Sequence, residues 1–276
     1  MQEGPLEIDL NKILRARMPR KVSRFVPGFV ISGLERLIHQ DELNEMLRMG
    51  YPLRGWEFAC KLLDYLEISL EVKGLDRLTD SGRFMFASNH PLGGLDGIAL
   101  IAVLGKRYGN DGVRFLVNDM LMNVEPLRDV FLPVNKFGSQ GRDAAVAISA
   151  ALASDMQVLQ FPAGLVSRLH DDGSISDLEW HKAFVAQAIK HERDIVPVRF
   201  EASNTMRFYR TARWRKKLGL KVNIEQALLP SELCKARGKR FRIVFGEPES
   251  WRGLKAQGLP PKALAAVIRR KVYNLK

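Results

Sequence analysis

Cysteine is nearly absent from this chain: Cys60 and Cys234 are the only two in 276 residues. Two cysteines build no disulfide framework, so a stapled extracellular scaffold is excluded and an intracellular setting is expected. No apolar run reaches the roughly 18 residues that a bilayer-crossing helix needs. No charged-then-apolar leader with a small-residue cleavage site opens the chain. A Gly-x-Ser-x-Gly elbow is missing, which removes the usual serine nucleophile of a hydrolase. His39, His170, His181 and His191 stand in no zinc-ligand spacing, so no metal site is predicted. Repeats and low-complexity linkers are lacking too. Acid is scarce in one place only: residues 201–276 carry 19 Lys+Arg against 5 Asp+Glu.

The full chain has 43 Lys+Arg and 31 Asp+Glu, a formal net charge of +12. Residues 1–200 hold the remaining 24 and 26, so the last quarter supplies all of the excess. A hydrophobic fraction of 46% and a charged fraction of 27% fit an ordinary globular protein. The basic balance calls for an anionic partner: nucleic acid, an acidic protein or a lipid surface. Two clusters carry it. Lys12, Arg15, Arg17, Arg20, Lys21 and Arg24 alternate with apolar residues, with no acid between Leu10 and Leu34. That pattern suits a segment lying on a membrane, apolar side down, and equally a helix packed on its own domain. The second cluster, Arg207–Lys221, interleaves arginines with Phe208, Tyr209 and Trp214, which would also suit base stacking in a cationic groove. No nucleic-acid-binding motif accompanies it.

Residues 1–70 read as helical, with Pro19 and Pro27 as breaks. From residue 71 strands and helices alternate. Strands are predicted at 83–88, 113–117, 130–134, 158–161, 195–200 and 241–245. Helices are predicted at 143–153, 177–190, 204–217 and 261–273, the last opened by Pro261. This order predicts an α/β fold, a sheet with helices on both faces and a ligand beyond the strand ends.

The stretch Ser88-Asn89-His90-Pro91-Leu92-Gly93-Gly94-Leu95-Asp96-Gly97 carries the clearest chemistry. An apolar strand delivers Asn89 and His90 to its end, and a flexible loop leads to Asp96 at a helix start. Histidine takes a proton near neutral pH, and a carboxylate on its other nitrogen fixes the tautomer and supports the imidazolium. Asp96 is the nearest acid, although it could also simply cap the helix.

Together with three further blocks, this stretch resembles the PlsC-like phospholipid/glycerol acyltransferase superfamily. Asn89, His90 and Asp96 match that family's Asn-His and Asp, with five residues between His and Asp instead of four. Asn135-Lys136 stands where the family has Asp-Arg after a strand. Phe161-Pro162-Ala163-Gly164-Leu165-Val166-Ser167-Arg168 keeps the frame of Phe-Pro-Glu-Gly-Thr-Arg-Ser but loses Glu, Thr and Arg. Ile195-Val196-Pro197-Val198 matches the fourth block, and before it Trp180-His181-Lys182-Ala183 is similar to the family's Lys and small residue at a helix start. The resemblance covers about residues 70–200.

It implies a mixed sheet flanked by helices, with 71–276 as the acyltransferase domain; residues 1–70, from their basic-apolar pattern, are expected to form an N-terminal helical, membrane-associating segment. The resemblance implies acyl transfer from acyl-CoA or acyl-carrier protein, with no bound cofactor, to a lyso-lipid hydroxyl at the cytoplasmic membrane face. His90 would be the base and Asp96 its support. Asn89, Gly93, Gly94, Asn135, Lys136, Arg142, Phe161, Pro162, Gly164, Arg168 and Lys182 are the implied substrate-binding positions. In the family the lost polar positions of the second and third blocks bind the acceptor's phosphate. Ala163 and Val166 therefore predict a different head group, such as a lyso-aminolipid with a hydroxylated acyl chain, unless Arg142 and Arg168 replace the lost contacts. A catalytically inactive lipid-binding homologue is the other possibility that the altered block raises.

Overall fold

The computed structural model describes residues 4–12, 27–134, 141–220 and 223–276. Three helices come first: α1 (Gly28–Leu37), α2 (Gln40–Gly50) and α3 (Gly55–Tyr65). The sheet begins with β1 (Ser69–Lys73) and β2 (Phe84–Ser88), followed by α4 (Leu95–Tyr108), β3 (Val113–Asn118), β4 (Phe131–Val134), α5 (Arg142–Ala153) and β5 (Gln157–Gln160). A small hairpin, β6 (Arg168–Leu169) and β7 (Ile175–Ser176), precedes α6 (Ala183–Lys190) and β8 (Asp194–Glu201). Then come α7 (Met206–Lys217), α8 (Leu229–Cys234), β9 (Arg240–Phe245), α9 (Trp251–Ala256) and α10 (Pro261–Asn274).

Seven strands form one sheet in the order β1-β9-β8-β2-β5-β3-β4. Every neighbouring pair is parallel except β8 with β9. The sheet is therefore mixed but mostly parallel, with β2 at its centre. β2 is buried at all five positions, and successive side chains of a strand point to opposite faces. Phe84 and Phe86 join one core layer with α2, α3, α4 and β9. Met85 and Ala87 join the other, with α6, α9 and α10. Phe86 packs its ring against Phe84, Tyr108 and Phe245. Truncating a site of this kind to alanine costs about 3–5 kcal/mol.

The helical first part shares that core. Phe58, Ala59, Leu62 and Leu63 of α3 sit in the same cluster as the strand residues. α3 lies close against α4, because a Cβ on Gly105 would stand 2.2 Å from Cβ of Trp56. The basic-apolar residues Arg15 to Arg24, and the pair Asn135-Lys136, lie outside the described residues. No described helix is long and apolar enough to cross a membrane.

Two expectations need correction. The helix expected at 177–190 starts only at Ala183. Asp177 leaves β7 with its backbone N–H donated to the Tyr273 hydroxyl at 2.7 Å and its carboxylate accepting from Trp180, so the chain turns there instead of coiling. β1 was not expected. Its polar, half-exposed residues Glu71 and Lys73 give little apolar alternation, and only the parallel register with β9 makes it a strand.

Candidate active site

β2 ends at the edge where ligands collect in sheets of this kind. Asn89 comes first, buried, and both ends of its amide are used. Its N–H donates to the Phe200 carbonyl at 2.9 Å, and its oxygen accepts the Phe200 N–H at 2.7 Å. The side chain thus continues the β2–β8 pairing by one step. Asn89 is thereby held as a brace between the ends of β2 and β8.

His90 follows. Its Nδ1–H donates to Oδ2 of Asp96 at 3.0 Å. That same oxygen accepts the N–H groups of Leu92 at 2.9 Å and Gly93 at 3.2 Å, while Oδ1 accepts from Gly97 at 2.9 Å. The five-residue spacer is absorbed by the turn at Gly93, whose φ of +90° suits glycine. Burial acts to push the Asp96 carboxyl up. The His90 charge and hydrogen bond, with the Leu92 and Gly93 amides, outweigh it and hold the group below the ordinary carboxylate range. A carboxylate only accepts, so the proton sits on Nδ1 and the Nε2 lone pair is left for chemistry. Among the described residues nothing hydrogen-bonds Nε2. The ring stacks on Phe161 at 4.0 Å between centroids, which fixes its plane and brings the loop after β5 to the loop after β2.

The main chain of His90 is held as firmly as its ring. Its N–H donates to Asp177 Oδ1 at 3.2 Å, and its carbonyl accepts the Ser167 N–H at 2.8 Å. The Ser167 hydroxyl donates to Asp177 at 2.6 Å, and the Trp180 indole N–H donates to Oδ2 at 2.9 Å. Burial pushes the Asp177 carboxyl above the ordinary range, against these donors. Asp177 and Ser167 were not singled out from the sequence. Ser167 lay inside the third block, but no spacing signal pointed to Asp177.

The other expected positions divide. Gly164 donates its N–H to the Phe161 carbonyl at 2.9 Å, closing the Phe161-Pro162-Ala163-Gly164 turn. Pro162 accepts from His181 N–H at 3.0 Å, which places Lys182, exposed at the start of α6, beside that turn. Arg142 is exposed at the start of α5. Arg168 does not extend into the site. Its guanidinium pairs with the fully buried Glu225 at 2.9 Å and lies over the Phe208 ring, while Arg215 pairs with the other carboxylate oxygen. Burial holds Arg168 below its usual value, against the pull of Glu225. Ala163 is packed in the core layer with Trp180 and Phe184, and Val166 packs with Phe208, Tyr209 and Leu228. The positions that lost their polar groups are therefore filled by apolar contacts. Phe208 and Tyr209 are buried, which corrects their reading as base-stacking groups. The described residues contain no group of three or more His, Cys, Asp or Glu that could hold a metal ion.

A family model described as Acyltransferase matches residues 12–276. The chain belongs to this acyltransferase family. A lyso-glycine lipid O-acyltransferase of Phocaeicola vulgatus is 42% identical over 268 residues, covering 97% of this chain and 95% of that protein. One of Bacteroides thetaiotaomicron is 41% identical over 269 residues, covering 97% of each. The crystal structure of the 1-acyl-sn-glycerophosphate (LPA) acyltransferase PlsC from Thermotoga maritima is similar at a TM-score of 0.45 and 15% identity, covering 89% of this chain and 91% of that one. The protein is an O-acyltransferase, as the resemblance of its four blocks implied.

Proposed function

We propose that this acyltransferase esterifies the hydroxyl of a lyso-glycine lipid with a fatty acyl group taken from a thioester, acyl-CoA or acyl-carrier protein. The observation that carries the mechanism is the buried His90–Asp96 pair with Nε2 left open at the strand end. The acceptor is supported by the 42% identity to the Phocaeicola enzyme across nearly the whole chain. The apolar packing of Ala163 and Val166 agrees with a head group that brings no phosphate to those positions.

In the reaction Nε2 takes the acceptor hydroxyl's proton as the oxygen attacks the thioester carbonyl carbon. A tetrahedral oxyanion forms, the carbon–sulfur bond breaks, and the imidazolium returns the proton to the leaving thiolate. Asp96 stays ionised throughout and stabilises the imidazolium. A general base of this kind is worth roughly 10²–10⁴-fold, with positioning and oxyanion donors supplying the rest. Gly93 and Gly164 have spent their amides on Asp96 and Phe161. Gly97 likewise donates its amide to Asp96, so the glycine amide left for the oxyanion is that of Gly94.

Arg142 and Lys182, exposed at two helix starts, are the described cations placed to meet an anionic head group or donor. Asn135 and Lys136 keep that role as an expectation outside the described residues. The lipid acceptor and the basic-apolar segment after Leu10 together support a peripheral position on the cytoplasmic face of a membrane. The test is thiol release from acyl-CoA or acyl-carrier protein with lyso-glycine lipid present. A diacylated product should appear one for one with thiol, and His90→Ala should stop both without altering the circular dichroism spectrum. Full turnover in that variant would sink the mechanism.

A further inference from the structure

The outer face of α7 stands apart from the site. Phe208, Tyr209 and Ala212 turn inward. Arg207, Arg210, Thr211, Trp214 and Leu218 recur at helical spacing on the opposite side and line a groove of about 460 Å³ with Leu220 and Ile224. Its apolar members are large and open to solvent: Trp214 is 69% exposed, Leu218 63%, Ile224 47% and Leu220 45%. Such a patch on a folded surface marks an interaction site. α7 holds no acid. Arg213 pairs with Asp171 and Arg215 with Glu225. Among the described residues Arg207, Arg210, Lys216 and Lys217 have no acidic partner.

We infer that this face of α7, with Leu218, Leu220 and Ile224, is the surface by which the protein sits on an anionic phospholipid bilayer. The inference rests on the lipid acceptor proposed above. A bilayer offers phosphates outside and hydrocarbon within, the order in which this groove offers cations and apolar side chains. An acidic protein would satisfy the cations but brings a surface poor in the apolar groups needed to cover Trp214, Leu218, Leu220 and Ile224.

The geometry also joins this face to the chemistry. Asn204, just before α7, donates to the Pro91 carbonyl at 3.1 Å, and Tyr209 of α7 accepts the Asn204 N–H at 3.0 Å. Beneath the helix, Phe208 and Tyr209 pack on Val166 and Leu228, and Leu37 of α1 packs against the same cluster. A Cβ on Gly93 would meet the Val166 and Leu229 side chains. α7 therefore stands directly between the groove and the loop that carries His90, and a bilayer on its outer face is one helix away from the base.

The test uses the full chain and needs no turnover. Vesicles of phosphatidylcholine with about a third phosphatidylglycerol should sediment the protein, and pure phosphatidylcholine vesicles should not. Trp214→Ser combined with Leu218→Ser, both exposed positions, should weaken binding to the anionic vesicles by at least about tenfold, as loss of two large apolar groups requires. Arg207→Gln with Arg210→Gln should weaken it too and flatten its salt dependence. Thiol release with detergent-dispersed acceptor should stay at the unsubstituted level in all of them. Vesicle binding unaffected by both pairs would overturn the inference. So would an acidic carrier protein shielding Trp214 from a soluble quencher while vesicles of brominated lipid fail to quench its fluorescence. Vesicle binding without any thiol release from the unsubstituted protein would instead count against the acceptor reading and leave this surface standing.

Discussion

Asp96 and Asp177 are both fully buried and both hydrogen-bonded to His90, yet the first is held below the ordinary carboxylate range and the second above it. Their partners explain the difference. Asp96, at the start of α4, meets the imidazole ring and three backbone amides. The Asp177 carboxylate, in the connection from β7 to α6, accepts from one amide, a hydroxyl and an indole N–H, and Arg269 reaches only its main-chain carbonyl. Burial disfavours charge at both, and only the first receives enough to reverse it. One aspartate is built to stay charged beside a base that must gain a proton. The other holds the base's backbone in place. Glu225 is a third case, buried between Arg168 and Arg215 and paired with both.

The largest effect should come from the aspartate on the ring. Asp96→Asn offers an amide that can turn its N–H toward Nδ1 and so leaves the proton on Nε2, the wrong tautomer for a base. Thiol release should fall on the order of 10³-fold while the protein stays folded. Retention of a tenth of the activity would erase the distinction between the two aspartates. Glu225→Ala comes next and should act on stability. It leaves two guanidiniums buried without a counter-charge, a loss of about 3–4 kcal/mol in denaturant unfolding. The acceptor KM of the fraction that remains folded should not change, which separates this ionic cluster from the site.

The sequence made the His90–Asp96 pairing legible because both residues lie in one loop with glycines between them. The α/β order was legible because apolar runs such as Phe84–Ser88 and Asp194–Glu201 are strand-like on their own. What stayed hidden is what depends on distant contacts. Asp177 reaches His90 across 87 positions of sequence, and Asn89 reaches Phe200 across 111. Arg168 read as a cation for substrate because Glu225, 57 residues on, could not be foreseen as its partner. The outer face of α7 was visible as charge, but only burial of Phe208 and Tyr209 told which of its aromatic residues remain outside.

The pH dependence of stability sharpens the comparison further. Asp96 has a lowered folded-state pKa, so its contribution is present above the unfolded value of about 4 and is lost as pH falls below it. Asp177 has a raised one, so its charge costs stability at neutral pH, and that cost disappears as pH falls through the raised value toward about 4. Unfolding of Asp96→Asn should therefore approach the unsubstituted protein as the solution is acidified from pH 7 to below 4. For Asp177→Asn the difference between pH 7 and pH 4 should run the opposite way. Parallel curves for the two variants would mean that their surroundings do not set their charge.

The smallest effect expected is at Ser167. Its hydroxyl donates to Asp177 at 2.6 Å and reaches the His90 carbonyl at 3.3 Å, but its backbone N–H, which holds that carbonyl at 2.8 Å, survives any side-chain change. Ser167→Ala removes one donor from a buried carboxylate and should cost about 1–2 kcal/mol in unfolding. Turnover should stay within a few-fold, because the ring of His90 remains on Asp96 and Phe161. The loss also leaves Asp177 with fewer donors for its charged form, so the stability deficit should be greatest at neutral pH and shrink on acidification. A deficit independent of pH would show that the Ser167 hydroxyl serves packing alone and that the charge on Asp177 is held by Trp180 and the His90 amide without it.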